Sequence, residues 1–250
     1  MSGILSGQKA IVTGAASGIG RGIAIALAAE GMQVAIVDRA APEASNAVAA
    51  SIEAAGGKAF ALQADVSDEA SAVAAVTGAA RRMGGIDLLV NSAGVIADGP
   101  LLETPVSVFD RIMAVNVRGT FIVGREALRI MAAQGHGRVI NVSSELALLG
   151  REQFSPYCAS KGAVLSMTRS WAREFAPHVL VNAIAPGPVD TPMLGVEHMS
   201  PEWRRKEESN PLGRIGKVEE IASVAVFLAG PGATFITGQC ISPNGGAAMY

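Results

Sequence analysis

The chain alternates short, nearly continuous apolar runs with longer stretches whose apolar residues return every three or four positions. Ala10–Thr13 predicts a strand and Gly18–Glu30 a helix. Val34–Val37 predicts the next strand and Glu43–Ala55 the next helix, stopped by Gly56 and Gly57. Ala59–Gln63 follows as a strand, then Asp68–Arg82 as a helix with Ser67 as expected N-cap and Gly84–Gly85 as its end. Leu88–Asn91 and Val139–Val142 predict strands, separated by one long helical stretch from about Val106 to Met131. Tyr157–Phe175 predicts a helix, Leu180–Ile184 a strand, Val218–Leu228 a helix and Gln239–Ser242 a last strand. Strands without polar alternation are buried on both faces, and strict β–α alternation makes the sheet parallel. The expected fold class is α/β, a doubly wound parallel sheet with helices on both faces. No linker or repeat interrupts residues 1–250, so one domain is expected. The stretch Pro186–Gly213 lacks a clear period and predicts a long functional loop, with about 191–213 as a lid.

Composition narrows the function classes. Half the residues are hydrophobic, 17% are charged and 4% are aromatic, enough for one large aliphatic core. A net charge of −2 without blocks of like charge argues against nucleic acid or an anionic membrane as partner. Cys158 and Cys240 are the only cysteines, too few for a disulfide framework or a thiolate metal site. His136, His178 and His198 lack ligand spacing, so no metal is expected. Met1–Gln8 lacks the pattern of a signal peptide, and runs such as Ile23–Ala29 and Val224–Ala229 fall far short of a membrane span. A cytoplasmic protein acting on a small molecule is the expectation.

Between the first strand and first helix lies Thr13-Gly14-Ala15-Ala16-Ser17-Gly18-Ile19-Gly20. Glycines there allow a sharp turn and a close approach to a pyrophosphate, whose charge suits the amide-rich helix N-terminus. Asp38 ends the second strand at the distance where an acid hydrogen-bonds the adenine ribose in dinucleotide-binding proteins. That carboxylate opposes the 2′-phosphate of NADP, so NAD is expected, although Arg39 next door offers a phosphate partner.

Tyr157 and Lys161 are four residues apart on a predicted helix and therefore share a face. Together with TGAASGIG (13–20), Asp38, Asp65-Val66, NSAG (91–94), Asn116, NVSS (141–144), YCASK (157–161), PGPVDT (186–191) and PLGRIG (211–216), they occur in an order and spacing that resembles the short-chain dehydrogenase/reductase family over essentially the whole chain.

The resemblance implies a Rossmann-like fold, a nicotinamide cofactor and a set of roles. Gly14, Ser17, Gly18, Ile19 and Gly20 would cradle the phosphates, and Asp38 would hold the adenosine ribose. Asp65 and Val66 would line the adenine pocket, with Asn91, Ala93 and Gly94 beneath the ribose and nicotinamide side. Pro186, Gly187, Val189 and Thr191 would flank the nicotinamide, whose ribose Lys161 would also hold. Ser144 rather than Ser143 takes the catalytic serine place, thirteen residues before Tyr157. Asn116 would anchor a proton-relay water to Lys161. The family also implies pairing of helices between subunits in a homotetramer, and the stretches 106–131 and 157–175 are apolar on more than one face.

These residue types suit hydride transfer. Oxidising an alcohol needs a base for its proton, and free tyrosine, with a pKa about 10, is a poor one. The Lys161 ammonium and a cationic nicotinamide would favour the phenolate, a change of about three units being worth roughly 4 kcal/mol. Ser144 would hydrogen-bond the substrate oxygen where charge develops. The sequence departs from the family pattern in NSAG, in the turn Ala176-Pro177-His178-Val179, and in Cys158, expected to pack in the core. Met193, His198, Glu145 and Gln153 are candidate substrate contacts.

The expectation is an NAD-dependent alcohol dehydrogenase or ketone reductase. The alternatives are an NADPH-dependent 3-oxoacyl thioester reductase and a dinucleotide-binding regulator without turnover. Asp38 and the lack of a basic residue at Ser17 weigh against the first. The complete set Asn116, Ser144, Tyr157 and Lys161 weighs against the second.

Overall fold

A computed structural model describes residues 3–249. The strands are β1 (Lys9–Thr13), β2 (Gln33–Asp38), β3 (Lys58–Gln63), β4 (Leu88–Asn91), β5 (Gly137–Val142), β6 (Val179–Ile184) and β7 (Cys240–Ile241). They form one sheet in the order β3-β2-β1-β4-β5-β6-β7, every neighbouring pair parallel. The helices are α1 (Gly18–Ala29), α2 (Pro42–Ala54), α3 (Glu69–Met83), α4 (Val106–Ile112), α5 (Thr120–Gln134), α6 (Leu146–Leu149), α7 (Ser155–Phe175), α8 (Pro201–Glu207) and α9 (Val218–Ala229).

Because successive strand residues point to opposite faces, β1 feeds two separate cores. Ala10 and Val12 join Ile23, Leu27, Val48, Ile52, Ile221 and Leu228 on the face covered by α1, α2 and α9. Ile11 joins Val76, Met83, Ile122, Leu128, Met131 and Trp171 on the face covered by α3, α5 and α7. This burial on both faces is why the strands read as continuous apolar runs. Among the described residues no helix is long and apolar enough to cross a membrane.

Three local expectations need correction. The N-cap of α3 is Asp68, whose Oδ1 accepts the Ser71 amide at 2.7 Å, not Ser67. Ser67 instead donates its amide and hydroxyl to Asp65 Oδ1, at 2.9 and 2.6 Å. The helical stretch after Val106 is not uniform, because Met113–Gly119 widens into a π-helical turn between α4 and α5. Finally, the stretch 186–213 is not structureless. It holds a 3-10 turn at Val196–His198 and the helix α8, capped by Ser200, whose Oγ accepts the Trp203 amide at 3.1 Å. Ser200 followed by Pro201 is a helix-start signal; seven residues are too few for periodicity to show it.

Candidate active site

The chain runs outward from β1 to β3 and returns to β4 on the other side of β1, so the crossovers part company beyond the carboxyl ends of β1 and β4. A cleft of about 460 Å³ opens there. Its wall includes Gly14, Ser17, Gly18, Ile19, Gly20, Asp38, Asp65, Val66, Ala93, Gly94, Ser144, Tyr157, Lys161, Pro186, Gly187, Val189 and Thr191. Two residues singled out in the sequence stand behind the wall. Asn91 is buried and donates to Asn141 Oδ1 at 2.9 Å, tying β4 to β5. Asn116 is also buried, behind Lys161.

At one end the cleft suits phosphates. Gly14 has φ +66° and lies so close to the segment leaving β4 that a Cβ there would stand 2.7 Å from Ala93 Cα. Thr13 fastens the same contact, its Oγ1 accepting the Ser92 and Ala93 amides at 3.1 and 3.2 Å. Ser17 precedes α1 in an extended conformation and places no side-chain cap on it, so the first-turn amides face the cleft as an anion site. At the tip of β2, Asp38 Oδ2 accepts the Ala16 amide at 3.0 Å and Oδ1 the Ala40 amide at 2.9 Å. The Asp65 carboxyl is held below its usual range by its bonds to Ser67, with a smaller contribution from Arg39. A glycine cradle, free helix amides and a fixed carboxylate at the tip of β2 fit a dinucleotide.

The other end carries proton chemistry. The π-helical turn places Asn116 so that its Nδ2 donates to Val95 O at 2.9 Å and to Ser160 Oγ at 3.0 Å, while its Oδ1 accepts the Val95 amide at 2.8 Å. Such turns recur at functional sites. Ser160 in turn donates to Tyr157 O at 2.7 Å, so the bulge and α7 are locked together beside the site. Lys161 is buried; its Nζ donates to Val142 O at 2.9 Å and lies 5.7 Å from the Tyr157 ring centroid. Gly94 lies against that ammonium and against Asn116, a Cβ there standing 3.4 Å from both Lys161 Nζ and Asn116 Oδ1.

Burial dominates the ionisation of this pair. It pushes the Tyr157 phenol up to about 12, against a hydrogen bond from Ser144 that lowers it, while the charges of Cys158 and Glu145 raise it further. It also pulls the Lys161 ammonium down to about 8. Without a cofactor's charge in the cleft, desolvation of the phenolate dominates and the phenol stays protonated at neutral pH.

A third wall escaped the sequence reading. Trp203 and Glu207, four apart on α8, face inward and meet Arg151 from the loop before α7. The Arg151 guanidinium lies 4.8 Å from the Trp203 ring centroid and 5.3 Å from that of Phe154. Its Nη2 is 2.8 Å from Glu207 Oε1. That N–H is not aligned for a hydrogen bond, so the attraction is mainly Coulombic. Glu145 is buried in the same wall, and burial first, then the like charge of Glu207, raises its carboxyl to about 7 against the pull of Arg151. Met193 also lines the cleft, whereas Gln153 and His198 do not. Cys158 is half-buried beside the site rather than packed in the core. No group of residues able to hold a metal ion occurs among the described residues.

A family model described as enoyl-(acyl carrier protein) reductase matches residues 14–248. A 3-oxoacyl-[acyl-carrier-protein] reductase of Aquifex aeolicus is 39% identical, over 97% of this chain and 98% of that protein. Gluconate 5-dehydrogenase of Gluconobacter oxydans is 37% identical, over 97% of this chain and 95% of that protein. The crystal structure of a short-chain dehydrogenase from Burkholderia cenocepacia in complex with NADP superposes with a TM-score of 0.92 at 35% identity, covering 98% of this chain and 99% of the other. Fold, cleft and these full-length matches agree: the chain belongs to the short-chain dehydrogenase/reductase family of oxidoreductases.

Proposed function

We propose that this protein is an NAD-dependent oxidoreductase that interconverts a secondary alcohol and a ketone, with Tyr157 as acid and base. The observation that carries the reading is convergence: Ser144, Tyr157 and Lys161 line one end of the cleft whose other end holds the glycine turn and Asp38. A bound nicotinamide dinucleotide supplies the hydride acceptor or donor and, when oxidised, a positive charge. Ser144 donates a hydrogen bond to the substrate oxygen as charge develops on it. Tyr157 takes the hydroxyl proton during oxidation and returns it during reduction. Lys161, oriented by Val142 O, keeps an ammonium near the phenolate.

Magnitudes show why Lys161 needs help. Bringing a phenol from about 12 to neutrality takes roughly 7 kcal/mol. A cation 5.7 Å from the ring centroid supplies on the order of 3 kcal/mol if that separation stands for the charge distance at an effective dielectric near 20. The remainder falls to the cofactor's charge, to Ser144 or to alkaline pH. Among the cofactor contacts, Gly14, Ser17, Gly18, Ile19 and Gly20 serve the phosphates, Asp38 the adenosine ribose, and Asp65 and Val66 the adenine. Asn91 and Asn116 act from behind, as positioning residues. The experiment is a screen of secondary alcohols, polyols and oxo-acids by NADH absorbance, run in both directions; no turnover of any class with either nicotinamide cofactor refutes the reading.

A second reading, an NADPH-dependent 3-oxoacyl thioester reductase, draws on Arg39 in the cleft wall and on the Aquifex aeolicus relative. Asp38 and the uncharged Ser17 favour the first.

A further inference from the structure

The substrate end of the cleft contains a carboxyl that the proposed reaction does not use. Glu145 follows Ser144 directly, and its residue is only 7% exposed. Its Oε2 is sealed without a hydrogen-bond partner. That oxygen lies against Gly187, 3.0 Å from where a Cβ would stand. A buried, unpaired carboxyl oxygen is costly, and a native fold keeps one where something else completes it. Arg151 does not complete it: its Nη2 stands 2.8 Å from Glu207 Oε1 and makes no hydrogen bond to either carboxylate, and its guanidinium lies over the Trp203 and Phe154 rings.

We propose that Glu145 is a second anchor for the substrate, hydrogen-bonding a hydroxyl on the carbon beside the reacting one, so that the enzyme takes uncharged vicinal diols and α-hydroxy ketones. This rests on the reading of the cleft as a hydride-transfer site, with Ser144 at the reacting oxygen. Proximity sets the geometry. Ser144 and Glu145 both line the cleft and the Glu145 charge acts on the Tyr157 phenol, so a second oxygen close to the reacting carbon of a small substrate is the group that meets Glu145. Charge sets the chemistry. Glu145 and Glu207 outnumber Arg151, so a carboxylate or phosphate on the substrate meets a wall whose guanidinium charge is already balanced by Glu207. A hydroxyl suits Glu145 in either protonation state, because it both donates and accepts. The aliphatic part of the substrate then packs on Leu146, Met193 and Trp203, which line the same end.

The test has a binding arm and a turnover arm. Trp203 lies in this wall, so its fluorescence, recorded in a Trp171→Phe background, reports binding without turnover. Titrations compare 2,3-butanediol with 2-butanol, and trans-1,2-cyclohexanediol with cyclohexanol. The turnover arm compares reduction of 3-hydroxy-2-butanone with that of 2-butanone. The diol or hydroxy ketone is expected to be favoured by about tenfold or more, as for a hydrogen bond to a charged group. In Glu145→Leu the preference should collapse to within about threefold, and Glu145→Gln should keep part of it. Equal affinity within both pairs, or a preference that survives Glu145→Leu, overturns the proposal. Tighter binding of 3-amino-2-butanol than of the diol also overturns it, in favour of a cationic substrate. A binding preference without turnover upholds Glu145 while refuting the reaction, and turnover without preference does the reverse.

Discussion

Arg151 and Glu207 face each other at 2.8 Å in the wall of the cleft, one from the loop before α7 and the other from α8. Both are largely buried, with side-chain exposures of 14% and 4%. Removing one partner of a buried pair costs about 3–5 kcal/mol if the survivor stays buried. Glu207 has a cheaper outcome, because α8 is short and can swing into water. Arg151→Ala should therefore speed amide exchange across residues 191–212 while leaving strands β1, β4 and β5 protected. Glu207→Gln, which keeps the shape, should have a smaller effect. Unchanged exchange in Arg151→Ala would show that this contact does not hold the segment in place.

Tyr157→Phe removes only the transferable proton. Turnover should fall at least about a hundredfold, while NAD binding measured by calorimetry changes little. Turnover within a few-fold of the parent would take Tyr157 out of the chemistry.

What the sequence revealed depended on how local each feature is. The glycine turn, Asp38 and the Tyr157–Lys161 spacing are written within one loop, strand or helical turn, and neighbouring residues suffice to read them. The strands were legible because both faces of the sheet are buried, giving continuous apolar runs. Arg151, Trp203 and Glu207 meet only through the tertiary fold, and the intervening chain gives no sign of it. The π-helical turn at Met113–Gly119 keeps a helical composition, so only its hydrogen bonding distinguishes it. Ser67 and Asp68 are both good caps, and the choice between them turned on Asp65 claiming Ser67.

The pH dependence of oxidation should carry the signature of Glu145. This carboxyl sits near 7 and faces Arg151 from its loop, Glu207 from α8 and Tyr157 from α7. Oxidation needs the phenolate, and Tyr157 starts from about 12, so kcat/KM should rise with pH above neutrality. As pH passes through about 7, Glu145 gains negative charge and opposes that phenolate, which delays the rise. In Glu145→Gln the rise should move to lower pH, measured with a mono-alcohol so that substrate anchoring does not intervene. Reduction needs the phenol and should fall as pH increases. Superimposable profiles for parent and variant would show that the two groups are not coupled.

Exposed apolar side chains on the α4–α5 face point to self-association. Phe109 is 41% and Phe121 43% exposed, and Met113, Ala114, Val117 and Met167 line a shallow depression beside Phe121. Asp110 and Arg118 also line that depression, and apolar surface edged by opposite charges suits a symmetric interface. Light scattering at micromolar concentration should give a dimer or tetramer, and Phe121→Glu should lower the mass. A monomeric parent contradicts this.

Cofactor choice rests on how firmly Asp38 is held. Two backbone amides, from Ala16 and Ala40, fix its carboxylate at the end of β2, and each oxygen retains a lone pair for a ribose hydroxyl. A 2′-phosphate carries about −1.5 to −2 charge at neutral pH and would have to approach this fixed anion. At about 4 Å and an effective dielectric near 20, each pair of unit charges repels by roughly 4 kcal/mol before relaxation. Arg39 moderates this, but it is exposed and its charge also acts on Asp65. A net preference for NAD of about 1–3 kcal/mol, roughly tenfold to a hundredfold, is expected. Asp38→Ala should narrow the gap mainly by weakening NAD. It removes the ribose acceptor and frees the Ala16 amide within the phosphate turn, while Arg39 gives NADP some recovery. Adding Arg39→Ala should erase that recovery. The deciding measurement is kcat/KM for both cofactors in parent, single and double variants at fixed ionic strength. A parent that prefers NADP means that Arg39 outweighs Asp38, and the thioester-reductase reading then takes the lead.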